Sequence, residues 1–285
     1  MIPILKNIYS WIKQLFGTIY FFLRQLRHSD FKQPIKYEVK DRPLVILANG
    51  PSFKNVLENL DVLKGSDVCC LNHFAINDVF FQIKPNLYVL ADPGYWIDHQ
   101  RSIEDRAPVF ENLLNKVDWS MELYVPFLSK KEFNWKTFFS TNKNIKICYI
   151  HNLEWTGFSS MRNWSYRKGL AMPRPQNVTV VCLFVGINKG YKKIDIYGVD
   201  HSWTELLIVN DKNQVCLCDR HFWDQDTPPT QVWYKIDHPY LMHEALRDIA
   251  YMFESYHYIR SYADSRNVRI VNHTKNSYID AFERA

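Results

Sequence analysis

From Leu44 to Ala48 the chain is apolar without a break, and at Asn49-Gly50-Pro51-Ser52 the run stops. A short continuous apolar stretch with branched members, closed by Gly-Pro, predicts a buried strand and a tight turn. Val56, Leu57, Leu60 and Leu63 then recur at helical spacing, which predicts a helix over 53–63 capped by Ser52. The alternation of apolar run and polar stop returns at 66–72, ending on Asn72, and at 87–92, ending on Asp92 before Pro93. Residues 122–126, 145–150 and 268–272 read as further strands, and 130–139 as a polar helical stretch. Residues 155–168, rich in Trp, Ser, Asn and Arg, read as an ordered loop. Val178 to Asn188 is apolar on most faces and predicts a buried helix that Gly190 closes. A strand over 193–198 follows and leads into Val199-Asp200. Leu246, Ile249, Phe253, Tyr256 and Ile259 mark one face of a long helix over 244–263, and a short helix over 277–282 closes the chain.

The first 29 residues have a different pattern. Ile4, Ile8, Trp11, Ile12, Leu15, Phe16, Ile19, Phe22, Leu23 and Leu26 fall on one helical face, with Lys6, Ser10, Lys13, Gln14, Gly17 and Arg24 opposite. Lys13 and Gln14 in mid-segment argue against a spanning helix, which needs about 20 mostly apolar residues. Basic residues on one face and aromatics on the other suit a helix lying in the interface of an anionic membrane. A helix packed on the protein's own core is the alternative, while a leader peptide lacks its small-residue cleavage site. Residues 30–42 read as a linker, 43–285 as the main domain, and 202–240, with three tryptophans and little periodicity, as a lid.

Charge sharpens this division. The net charge is +5, but Lys6, Lys13, Arg24 and Arg27 precede the first acid, Asp30, so residues 30–285 carry only 5 − 4 = +1. The body is therefore no nucleic-acid binder by charge. The six cysteines sit mostly within apolar runs as small hydrophobes, and Cys216-Leu-Cys218 has poor spacing for zinc. Asp224-Gln-Asp226 follows no apolar strand and precedes Pro228-Pro229, so it reads as a solvated acidic turn, and no metal site is assigned.

The candidate chemistry lies at strand ends. In an open parallel sheet, ligands bind beyond the carboxyl ends of the strands, so Asn49, Asn72, Asp92 and Asp200 are expected to converge on one crevice. A strand-to-helix turn leaves backbone N–H groups that suit a phosphate. His243, at a helix start after the lid, is the candidate general base, since a histidine titrates near neutrality.

Leu47-Ala-Asn-Gly-Pro-Ser52, Leu71-Asn72, the helix-to-strand stretch Val185 to Asp200 and His243 together resemble the bacterial sialyltransferases of glycosyltransferase family 42. The same turn and Gly198-Val-Asp200 ending occur in the related MptE-like pterin diphosphokinases and motility-associated glycosyltransferases. The resemblance spans residues 43–282. It implies an α/β fold, a Rossmann-like variant of GT-A with a mainly parallel sheet, and metal-independent inverting transfer from a CMP-sugar, with no cofactor. It implies that Asn49, Gly50, Pro51 and Ser52 hold the nucleotide phosphates, that Asn72 contacts ribose or phosphate, and that His243 is the base. Asp92 stands where the family has asparagine. Asn177 to Thr179 replaces the family's Ser-Gly pair, and Tyr234 or Tyr240 from the lid substitutes for its tyrosine pair. The expected donor is a CMP-linked nonulosonic acid and the acceptor a surface glycan or glycolipid, with the enzyme peripheral on the cytoplasmic face of the inner membrane. A magnesium-dependent diphosphokinase, another nucleotide-sugar donor and a non-catalytic scaffold are the alternatives. The oligomeric state, a homo-oligomer included, stays open.

Overall fold

Eight of the strands join in one parallel sheet, and the chain reaches it through a long solitary helix. The computed structural model describes residues 2–28, 35–97, 103–218, 220–224, 226, 230–235 and 238–285. In chain order the elements are α1 (Ile2–His28), β1 (Leu44–Leu47), α2 (Lys54–Leu57), β2 (Asp67–Leu71), α3 (Val79–Ile83), β3 (Leu87–Val89), α4 (Ile103–Lys116) and β4 (Met121–Pro126). There follow α5 (Trp135–Phe138), β5 (Ile145–Ile150), α6 (Ser159–Arg167), α7 (Val178–Lys189) and β6 (Lys193–Tyr197). The remainder comprises β7 (Leu207–Val209), β8 (Val215–Leu217), β9 (Gln231–Val232), β10 (Tyr234–Lys235), β11 (His238–Pro239), α8 (Met242–Asp264), β12 (Arg269–Asn272) and β13 (Glu283–Arg284).

The sheet order is β13-β12-β6-β1-β2-β3-β4-β5. From β1 the chain steps outward through β2 to β5, then returns to the other side of β1 to lay down β6, β12 and β13. The winding reverses between β1 and β6, and such a switch point opens a crevice at the carboxyl ends of the two strands.

The pleat divides the core in two. Leu44 and Ile46 of β1 face one cluster, with α7 and α8, while Val45 and Leu47 face the other, with Phe53, Phe74 and α4. Helix α7 is the centre of the first cluster, and Val180 to Val185 along it are all fully buried. Each such side chain contributes about 1.5–3 kcal/mol, so the amino end of α7 is firmly held.

Several expected elements take another form. The helix expected over 53–63 is a 3-10 turn at Pro51–Phe53, the short α2, and a second 3-10 turn at Leu60–Leu63. The 155–168 stretch contains α6 rather than a loop throughout, anchored by buried Ser165 and Tyr166. Residues 277–282 are not helical, because Tyr278 N–H and the Ser277 hydroxyl bond to the Asp200 and Val199 carbonyls instead. Within the 202–240 lid, β7, β8 and β9 form a small antiparallel sheet and β10 and β11 a ribbon. Pro228 and Pro229 of the lid, Gln225 of the acidic turn and residues 30–34 of the linker lie outside the described residues. Residues 35–40 pack on the domain: Ile35 is buried and Lys40 bridges Tyr191.

Helix α1 forms as expected, and the face that docks is a mixed one, with Trp11 and Phe22 of the apolar stripe at its edges against Phe158 and Trp155. Gln14, Thr18, Phe21 and Gln25 lie against the segment after β5: Ser159 N–H donates to Gln14, Phe158 N–H to the Thr18 hydroxyl, and Gln25 to the Leu170 carbonyl. Gly17 permits this approach, since a Cβ there would lie 2.0 Å from the Thr156 carbonyl oxygen. Ile4, Ile8, Trp11, Phe16, Ile19, Leu23 and Leu26 face outward, each half or more exposed except Ile19 at 48%. No helix among the described residues is long and apolar enough to cross a membrane.

Candidate functional site at the strand ends

The turn after β1 and the segment after β6 meet across the switch point. Gly50 N–H donates to the Gly198 carbonyl at 2.9 Å, and the Ser52 hydroxyl donates to Asp200 Oδ2 at 2.8 Å. Gly50 has no room for a side chain, because a Cβ would sit 2.0 Å from Asp200 Oδ2 and 2.5 Å from the Gly198 oxygen. Burial pushes the Asp200 carboxyl above its ordinary range, and the bonds from Ser52 oppose that rise.

This contact changes the role expected for the turn. Ser52 N–H points at Asp200 Oδ2 from 3.4 Å, so a carboxylate already stands where an anion was expected. The turn is only a three-residue 3-10 segment, without a helix long enough to build a dipole. The helix terminus at the crevice is that of α7, 12 residues long, whose cap Asn177 accepts the Val180 N–H through Oδ1 at 3.1 Å.

A second chain of bonds links α7 to the end of β6. The buried Tyr256 hydroxyl donates to Asn177 Oδ1 at 3.0 Å and contacts His201 Nε2. Since an amide oxygen only accepts, the tyrosine proton lies toward Asn177, and His201 bonds the tyrosine oxygen through Nε2–H. Burial drives the His201 imidazole down to about 3, so it is neutral, although part of its surface is exposed. Its φ of 54° is left-handed, as is the 45° of Asn72, and both lie just past strand ends. Non-glycine residues adopt that region at a cost of about 1–3 kcal/mol, which tertiary contacts must offset.

The expected residues therefore divide into groups. Asn49, Gly50, Ser52 and Asp200 are brought together, and Asn49 Nδ2 reaches the Leu71 carbonyl beside Asn72. Pro51 opens the 3-10 turn, and Asn177 and Thr179 join through Tyr256. Asp92 caps its own turn by accepting the Gly94 N–H at 2.9 Å. Asn49 Oδ1, Asn72 Oδ1 and Asn177 Nδ2 are buried without a hydrogen-bond partner in the protein. Unpaired buried amide atoms cost about 1–3 kcal/mol each and mark where a polar ligand would gain most.

The lid residues stand apart. Phe222 is buried against Phe53 and Phe74, with its N–H on the Asn49 carbonyl at 3.0 Å, which ties this part of the 202–240 segment to the turn. Asp224 accepts the His221 N–H at 2.7 Å. Tyr240 packs on Trp233 and donates to Asp248, while Tyr234 is exposed. His243 is exposed in the first turn of α8, 13 residues before Tyr256, or about 20 Å along the axis at 1.5 Å per residue. The amino half of α8 therefore extends past the level of Tyr256, beside the lid. His201 and Tyr256 were not expected at the site. A histidine directly after a strand-end aspartate was the only local signal, and its partner lies 55 residues away.

No protein-family model matches the chain, and no curated protein matches it significantly. Among solved structures it is similar to the MAf glycosyltransferase of Magnetospirillum magneticum AMB-1, with a TM-score of 0.50 and 9% identity over 89% of this chain and 35% of that one. The chain thus spans about a third of that protein's length. It also aligns with the monofunctional alpha-2,3-sialyltransferase Cst-I of Campylobacter jejuni, with a TM-score of 0.43 and 16% identity over 86% of this chain and 81% of that one. A mammalian sialyltransferase aligns with a TM-score of 0.39 and 11% identity, over 89% and 84%. What the chain shares with the MAf glycosyltransferase is the fold, a mixed α/β architecture on a large parallel sheet.

Proposed function

We propose that the protein is a membrane-associated glycosyltransferase that moves a sugar, a nonulosonic acid from a CMP-sugar, onto a glycan or glycolipid by metal-independent inversion. The observation that carries this reading is the meeting, at the β1–β6 switch point, of Asn49, Ser52 and Asp200 with Asn177, His201 and Tyr256. Asp200 and the unpartnered oxygens of Asn49 and Asn72 are acceptors suited to ribose hydroxyls and a base amine. The phosphate then lies toward the amino end of α7, where N–H groups and the helix dipole stabilise the departing anion. A monophosphate leaving group carries less charge than a diphosphate, so hydrogen-bond donors suffice. His243, on the part of α8 beside the lid, is the proposed base, with Tyr234 and Tyr240 near it along the chain. The outward apolar face of α1 would lie in the bilayer interface on the cytoplasmic side, where a lipid-linked acceptor is presented.

A nucleotide panel of CMP, UDP, GDP and ATP, each with EDTA or Mg²⁺, tests the donor. At 100 times its dissociation constant a ligand stabilises by about 2.7 kcal/mol, or roughly 5 °C or more in a chain of this size. A CMP shift that survives EDTA, with His243→Ala lowering transfer by about 10²-fold or more while keeping the shift, is the expected result. A shift only with ATP and Mg²⁺ would replace the proposal with a diphosphokinase.

A further inference from the structure

A groove of about 500 Å³ lies away from the strand-end crevice, along the free edge of the sheet at β5, between Lys189 at the end of α7 and residues 35–40. Six lysines line it: Lys36, Lys40, Lys130, Lys136, Lys146 and Lys189. The acids of the lining are Glu38 and Glu122, so the groove carries 6 − 2 = +4 before His151 is counted. Residues 30–285 as a whole carry +1, which leaves 1 − 4 = −3 for all the rest of the body. Positive charge is thus gathered in one concavity rather than spread over the surface. Like charges crowded into a cleft raise its potential and draw in a counter-ion of matching valence.

The groove has an ordered floor. Glu122 on β4 accepts Lys146 at 2.9 Å, Lys189, and the Tyr124 hydroxyl at 2.8 Å. Burial alone would raise the Glu122 carboxyl, but these bonds outweigh it and hold it at about 2. The carboxylate therefore stays ionised and fixes two ammonium groups in place. On the wall, Lys130 Nζ lies 4.0 Å from the ring centroids of both Phe127 and Tyr149, which orients a third. Two of the three other lysines, Lys36 and Lys136, are exposed at the rim.

We propose that this groove is a binding site for a multiply charged phosphate, a diphosphate or phosphate ester, separate from the site at the strand ends. A single carboxylate would leave most of the charge unmatched. A diphosphate or phosphate ester, at two to three negative charges, answers it, and lysine binds phosphate as a mobile point charge. The volume also suits an organic phosphate. The ligand can arrive free or as the head of a lipid. His151 in the lining bonds the Gly169 carbonyl at 2.9 Å, next to the Leu170 carbonyl to which Gln25 of α1 donates, so the groove lies near the carboxyl-terminal part of the helix with the outward apolar face.

Calorimetric titration of inorganic pyrophosphate into the full chain tests the site without reference to any nucleotide. The expected result is saturable binding that weakens at least tenfold in Lys36→Gln/Lys130→Gln/Lys136→Gln, whose three positions are exposed, with an unchanged melting temperature. A second variant, Lys146→Gln, should weaken binding several-fold by removing a cation that Glu122 positions. Flotation with phosphatidylcholine vesicles, with and without phosphatidate, separates the sources. Phosphatidate-dependent binding lost in the triple variant identifies a lipid phosphate, and pyrophosphate binding alone a soluble one. No pyrophosphate binding to the parent chain, or binding unchanged in both variants, overturns the proposal.

Discussion

Gly50→Ala is the most informative single change at the strand-end site, because the structure says what the added methyl meets. It would lie 2.0 Å from Asp200 Oδ2 and 2.5 Å from the Gly198 carbonyl oxygen. The carboxylate can swing away, but only by giving up the Ser52 hydroxyl, a hydrogen bond to a charged group worth about 1.5–3 kcal/mol. The Gly198 oxygen is backbone at the end of β6 and accepts the Gly50 N–H itself, so it can move only by opening the switch point. Overpacking of that kind costs about 1–3 kcal/mol. The two together give a loss of about 2.5–6 kcal/mol.

Urea unfolding followed by tryptophan fluorescence measures the loss as a lower midpoint at unchanged slope. The Asp200→Ala background apportions it. With the carboxylate gone, the methyl meets only the Gly198 oxygen, and the penalty for Gly50→Ala should fall by at least about 1 kcal/mol. A Gly50→Ala protein within about 0.5 kcal/mol of the parent would refute the packing argument. A penalty identical in both backgrounds would refute the assignment of the clash to Asp200.

Two further outcomes follow from the same geometry. His201 is held neutral with its pKa near 3, while in the unfolded chain it titrates near 6.5, so the unfolded state gains the proton first. Its contribution is complete above pH 6.5 and is lost as the pH falls toward 3. At pH 5 the loss is about 2 kcal/mol at most, and about 1 after discounting for the ring's partial exposure. His201→Gln should flatten the stability profile between pH 7 and 5, and an unchanged slope would contradict the burial. Gly17→Ala should detach α1, because a Cβ there meets a backbone oxygen at 2.0 Å. Limited proteolysis should then clip residues 1–28 at least tenfold faster while the cooperative melt of the domain stays in place; equal clipping rates would mean that the contact is not the one holding the helix.

Much of the sheet was legible in the sequence because parallel strands buried on both faces are continuous apolar runs, and here Pro, Gly or Asn stops them sharply. That reading located Asn49, Asn72, Asp92 and Asp200 at strand ends, and the switch point explains why the turn that follows Asn49 is the one that meets Asp200, through Ser52. The elements missed lack a local signature. Helix α4 carries Pro108 in its interior, and α6 reads Ser-Ser-Met-Arg-Asn-Trp-Ser-Tyr-Arg, with no apolar stripe. Tyr166 gives α6 its place by packing edge-on against Phe184 and Tyr262, from elements 18 and 96 residues further on. The expected helix at 277–282 fails for the converse reason. Its propensity is outweighed by bonds from Ser277 and Tyr278 to the end of β6, which in turn hold Asp200 at the crevice.

Helix α1 shows why an amphipathic pattern does not by itself say which face is buried. Periodicity identified the apolar stripe, and the usual inference is that such a stripe covers a core. Here the segment that receives the helix is irregular over 156–158 and opens α6 at Ser159, with backbone N–H and carbonyl groups to satisfy. Gln14, Gly17 and Thr18 supply the small and hydrogen-bonding groups that meet it, with Phe21 and Phe22 packing on Trp155 and Trp11 on Phe158. The docked face is therefore mixed, and most of the apolar stripe faces out. An exposed stripe running from Ile4 to Leu26 is larger than the scattered apolar residues of an ordinary surface, and it calls for an apolar or interfacial partner. In the membrane-associated state proposed above, a bilayer would meet that demand along the helix, and lipid phosphates would meet the lysine groove. The two features would then act together, with the helix supplying membrane affinity and the groove selecting membranes that display phosphate.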